Sequence, residues 1–258
     1  LRKILFVKRT LLGQNLTILN DKSIITENKP IIFAVTHIGK YDFEMVMESL
    51  NSYFYALSGD WELMYNTIDD YFNRINGVFY VDTEDKQDRH NSYELNVLAL
   101  KQGIRLLWFP EGIWNLSDHL PMQNLYPGIM KAALETNTEI VPIAVDQREN
   151  DFYVNIGENI NVDVLESDKV TALRDILASL KWEIWEQFEI ENRKDIPEDY
   201  YEQFLKIRLR EWPQFNMDII QNRVYKDKNV TEASEVYSFL EKLDVNKNNA
   251  FLLRKDNY

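Results

Sequence analysis

The chain has 258 residues, 45% hydrophobic and 13% aromatic, with 8 Gly and 7 Pro; this suits one α/β domain with an extension and excludes a disordered or fibrous chain. Its formal net charge of -13 argues against a nucleic-acid partner, because displacing phosphate counterions takes Lys and Arg. The absence of cysteine excludes a disulfide framework, a thiolate zinc site and a thioester intermediate on a Cys nucleophile.

In chain order, the opening LRKILFVKRT sets Arg2, Lys3, Lys8 and Arg9 around Ile4, Leu5, Phe6 and Val7. It reads either as a segment lying on a membrane surface or as a first strand or helix with snorkelling charges. IIFAV at 31–35 reads as a buried strand, and the FEMVMESL that follows Asp42 carries apolar residues at helical spacing. A second strand is expected near Tyr53 to Leu57, and GVFYV at 77–81 is a third. The segment from about Lys86 to Lys101 is predicted helical, stopped by Gly103. IRLLWF at 104–109 is a fourth strand, a helix starts at Pro127, and IVPIAV at 140–145 is a fifth strand. DFYVNIGENINV reads as an antiparallel edge strand broken at Gly157.

After about Leu165 the pattern changes to long helices, with turn signals at Pro197 and Pro213. Trp182 and Trp185 share a face and are expected to pack, and the acidic residues from Glu183 to Glu202 to form a solvated face. The expected architecture is an α/β domain over residues 1–165, a mostly parallel central sheet flanked by helices, with a helical C-terminal extension over 166–258 packed on it. No stretch reaches the roughly 18 to 20 apolar residues that span a bilayer. A soluble or peripheral protein is expected, cytoplasmic or on the inner face of a membrane.

Three histidines are present. His37 directly follows the IIFAV strand, where a doubly wound sheet delivers side chains to its carboxyl edge. Asp42 is five residues on, so the two meet only if a turn at Ile38 and Gly39 leads into a helix near Asp42. Such a pair activates a hydroxyl: the imidazole takes its proton and the carboxylate fixes the tautomer. By spacing alone the signal is weak, since an HxxxxD arises by chance in about one such chain in four. WFPEG at 108–112 ends the fourth strand at the same edge and brings Glu111 with it. His119 is close enough in sequence to line the cleft or to be solvated, and His90 is expected to be exposed. No HExxH or His cluster suggests a metal.

Four ordered blocks, THIGKYD (36–42), GVFYV (77–81), FPEG (109–112) and IVPIAV (140–145), resemble the glycerophospholipid (lysophosphatidate and glycerol-3-phosphate) acyltransferase family over about residues 30–160. The resemblance implies transfer of an acyl group from acyl-CoA or acyl-carrier protein to the hydroxyl of a lipid or glycan acceptor, with no covalent acyl-enzyme and no cofactor. It implies His37 as base, Asp42 as its partner, an acceptor site at Gly77, Phe109, Pro110, Glu111, Gly112, Trp114 and Asn115, and Pro142 on the acyl-donor side. The family usually carries an Arg two positions after the second block and Thr, then Arg or Ser, after the third. Here those positions hold Asp82 and Thr83, and Ile113, Trp114 and Asn115. Without the two cations a simple glycerol-phosphate acceptor is not expected. Arg74, Lys86, Arg89 and Arg105 stand nearby and are expected on the surface. Trp114 and Asn115 read either as an aromatic platform beside an amide for a sugar or polyol, or, for Trp114, as a cap on the core. Hydrolysis of the thioester, or silent binding of an acyl lipid or a partner by the same fold, are the alternatives.

Overall fold

The computed structural model describes residues 2–59, 71, 74, 75, 77–82, 85–165, 168–189, 193–209 and 237–247. Pro213 and Thr83 lie outside the described residues. Seven strands form one sheet: β1 (Asn15–Asp21), β2 (Ile31–Val35), β3 (Tyr55–Ser58), β4 (Val78–Tyr80), β5 (Leu106–Trp108), β6 (Glu139–Arg148) and β7 (Asp151–Ile156), in the order β1-β7-β6-β2-β5-β3-β4. Strands β6, β2, β5, β3 and β4 run parallel to one another. β7 turns back antiparallel on β6, and β1 pairs parallel with β7.

β2 sits mid-sheet with all five residues buried. Strand side chains alternate between faces, so its two sets build two cores. Phe33 and Val35 pack with Met45 and Val46 of α2 (Asp42–Ser49) and with Leu50, which caps it. On the other face Ile32 and Ala34 meet Leu100 of α3 (Lys86–Lys101), Ile129 and Ala133 of α4 (Gly128–Thr136), and Leu173 and Leu177 of α5 (Lys169–Trp185). The first helix of the expected C-terminal extension is thus one of the covering layers of the sheet. The opening segment is a helix, α1 (Arg2–Leu11), with no fully buried residue. It is tied to α2 through Lys8–Glu44 at 2.7 Å and Arg9–Glu48 at 2.7 Å.

One expectation changes. The Asp151 strand is not an edge, because β1 covers it; β1 escapes a hydrophobicity reading since Asn15, Asn20 and Asp21 interrupt it and Ile18 faces solvent. No helix of the described residues is long and apolar enough to cross a membrane.

Candidate active site

Five parallel strands end on one side of the sheet, and β2 delivers His37 there. The ladder continues one step past Val35: the Thr36 amide donates to the Ile143 carbonyl at 3.1 Å, and the Thr36 hydroxyl accepts the Val145 amide at 2.9 Å. The backbone then turns through residues 38–41 and α2 begins at Asp42, the local geometry the HxxxxD spacing requires. Asp42 Oδ2 accepts from the backbone N–H of Ile38 at 2.6 Å and of Gly39 at 2.9 Å, and lies 2.9 Å from His37 Nδ1. A carboxylate facing Nδ1 places the neutral imidazole's proton there, leaving Nε2 as the acceptor. Nε2 makes no hydrogen bond with the described residues. The Asp42 side chain is 1% exposed and that of His37 19%, so the carboxylate is sealed while the ring reaches solvent.

The loop after β5 is built around the same histidine. Phe109 stacks on the imidazole with ring centroids 3.9 Å apart, and Trp114 meets it edge-on at 5.9 Å. Glu111 Oε1 accepts the His37 amide at 2.8 Å, and the Asn115 amide donates to the His37 carbonyl at 2.6 Å. Glu111 Oε2 accepts the Gln123 amide at 2.7 Å. Burial pushes the Glu111 carboxyl up to about 8, against the downward pull of these two amides and of Lys181.

The expected acceptor-binding residues therefore divide. Glu111 has both oxygens engaged by backbone donors rather than turned toward acceptor hydroxyls. The Asn115 side chain is consumed by Leu120, Ser117 and Gln123, and Trp114 is buried, so the pair forms no open amide-and-ring platform; core capping is the reading that fits Trp114. Pro110 is buried and its carbonyl accepts from Tyr126, whose ring lies across the exposed Gly112. Gly77 precedes β4, at the opposite edge of the sheet from His37, with the Tyr55 ring against it; the fold does not bring it to the site. Pro142 lies inside β6 beside Ala34, its ring against Gly157. Of the nearby cations, Arg105 is spent at the amino edge on Ser52, Thr26 and Lys29. His90 is exposed on α3, and His119 is an exposed loop residue against Ser117 and Asp118. The amides of residues 37, 38 and 39 are committed to Glu111 and Asp42. No group of three metal-ligating side chains occurs among the described residues.

An acyltransferase family model matches residues 17–146, half of the chain, and this span holds both loops of the site. The chain belongs to the acyltransferase family. No curated protein matches this acyltransferase in sequence. Among solved structures it is similar to PlsC, a 1-acyl-sn-glycerophosphate (LPA) acyltransferase from Thermotoga maritima, with a TM-score of 0.59 and 13% identity over 73% of this chain and 80% of that one. That likeness is one of fold, a mostly parallel sheet with flanking helices.

Sequence reading missed one set of groups beside the acyltransferase's histidine. Lys181 of α5 is buried, and Asp146 at the end of β6 pairs with it at 2.8 Å and with Arg208 of α6 (Tyr200–Leu209) at 3.0 Å. Burial raises the Asp146 carboxyl, but Lys181 and Arg208 outweigh burial and hold it down at about 2. The available signal was spacing: Leu177, Lys181 and Ile184 follow the i, i+4, i+7 stripe of a buried helix face.

Proposed function

We propose that this acyltransferase moves a fatty acyl group from acyl-CoA or acyl-carrier protein to an acceptor hydroxyl, with His37 as general base and Asp42 orienting it. The observation that carries the reading is the imidazole held at Nδ1 by a sealed carboxylate and open at Nε2. In the proposed step, Nε2 takes the acceptor's proton as its oxygen attacks the thioester carbonyl, and the thiolate of the donor leaves with a proton returned by the imidazolium. Phe109, Glu111 and Asn115 act on His37 rather than on substrate: they fix its ring, its amide and its carbonyl.

The acceptor we propose is uncharged at the position where related enzymes hold a phosphate, such as a sugar or polyol. Asp82, Asp85 and Asp88 gather after β4, where a cation would be needed; Asp88 accepts the Asp82 amide at 2.7 Å and Asp85 caps α3. Carboxylates there repel a phosphate. We place α1 against a membrane surface, with Ile4, Phe6, Val7 and Leu11 exposed beside Lys3.

Acceptor profiling with labelled acyl-CoA, read by mass spectrometry, tests this function. Transfer to a neutral hydroxyl acceptor, lost by at least about 100-fold in His37→Ala, is the expected result. Efficient acylation of glycerol-3-phosphate or lysophosphatidate refutes the acceptor assignment, and unchanged turnover in His37→Ala refutes the base. Donor binding without transfer to any acceptor makes the chain a silent binder.

A further inference from the structure

The charged groups around the His37 turn come from five places: Lys40 and Asp42 on the turn itself, Glu111 after β5, Asp146 on β6, Lys181 on α5 and Arg208 on α6. The Lys181 ammonium donates to the Val145 carbonyl and to Asp146 Oδ1. That carbonyl is shared, because the Thr36 hydroxyl also donates to it at 3.3 Å, and Thr36 is bonded to His37. Asp146 is further held by Arg208 Nη2 at 3.0 Å and by the Trp185 indole at 3.1 Å. α6 closes over the turn, with the Arg208 carbonyl 4.0 Å from where a Cβ on Gly39 would stand. Two cations thus share the Asp146 carboxylate; burial pulls Lys181 down, while the charges of Asp146 and Asp42 support its ammonium.

An ammonium is among the costliest groups to bury, and Asp146 already has Arg208 and Trp185 without it. Packing alone would be served by a Met at this stripe position. We infer that Lys181 is a positioning residue for the His37–Asp42 pair, its charge favouring ionised Asp42 and neutral His37 while its hydrogen bond fixes the Val145 carbonyl to which the Thr36 hydroxyl ties the end of β2. The charge of Asp42 acts on Lys181, and that of Lys181 on Glu111, as groups sharing one low-dielectric pocket must. A general base works only as neutral imidazole, and a neighbouring cation keeps it so to lower pH.

The proposal rests on His37 being the base, and its test is chosen to stand apart from turnover. With three histidines in the chain, the imidazole resonances of the whole protein can be titrated by NMR, and His37→Ala identifies the signal of His37. Lys181→Met keeps the buried stem, and Lys181→Gln also keeps a donor for Val145. In both variants the His37 midpoint should rise by about half a pH unit or more, with His90 and His119 unmoved. The acid limb of kcat/KM should rise by the same amount. A merely structural lysine would lower the melting temperature and leave the midpoint in place. An unmoved His37 midpoint in either folded variant overturns the proposal. So does failure of both variants to fold, which would make Lys181 a residue of the core alone. Failure of the base reading shows separately, as turnover retained in His37→Ala.

Discussion

Phe109 lies face to face with the His37 imidazole, ring centroids 3.9 Å apart and 17° from parallel, so the loop after β5 sets the plane in which the proposed base presents Nε2. Phe109→Ala should free that plane. We expect kcat to fall about tenfold to 100-fold, with acyl-donor affinity, measured by equilibrium binding, little changed.

Asp42 carries three donors on one oxygen. Asp42→Asn keeps an acceptor for the Ile38 and Gly39 amides but loses the charge that stabilises imidazolium, and kcat should drop at least about 100-fold with the melting temperature nearly held. Asp42→Ala strands both amides as well. It should cost a further 1 to 3 kcal/mol or so of stability in chemical denaturation.

Glu111 binds its proton more tightly in the folded chain, at about 8, than at its ordinary 4.5. Folding therefore takes up a proton between those values, and stability falls as pH rises through that window, by up to about 1.4 kcal/mol per pH unit. Glu111→Gln has no proton to lose, so its melting temperature should be flatter than the wild type's between pH 5 and 8. A parallel decline in both would show that Glu111 does not hold that proton.

Gly77 has φ +84, and a Cβ there would stand 2.2 Å from a ring carbon of Tyr55. Gly77→Ala should destabilise by about 1 to 3 kcal/mol and leave kcat/KM of the folded protein unchanged, because the residue sits at the far edge of the sheet. A selective loss of acceptor affinity would instead restore Gly77 to the site.

What could be read from sequence was whatever has a short-range cause. The helix expected from about Lys86 to Lys101 spans those residues; Gly103, at φ +82, stops it as its sequence position suggests, and Asp85 caps its start. The turn joining His37 to Asp42 followed from Gly39 and the five-residue spacing. What escaped depends on distant partners. Glu111 announces a carboxylate near the site, yet only the folded loop shows that the His37 and Gln123 amides occupy it. Asn115 looked like a free amide because its bonds to Leu120 and Gln123 depend on how the loop closes. Lys181 carries its charge on a helix stripe whose neighbours Leu177 and Ile184 are apolar, and its partner Asp146 is 35 residues away.

The bond between the His37 amide and Glu111 spans 74 residues, and it forms only once β2 and β5 lie side by side with the whole of α3 between them in the chain. Contacts that close such long loops are slow to form. A nascent chain that has emerged only as far as α3 holds the complete HxxxxD motif, but its histidine has neither the amide clamp nor the aromatic face that Glu111 and Phe109 bring. The groups that clamp and stack on His37 are thus supplied only when the strand that carries them joins β2 in the sheet.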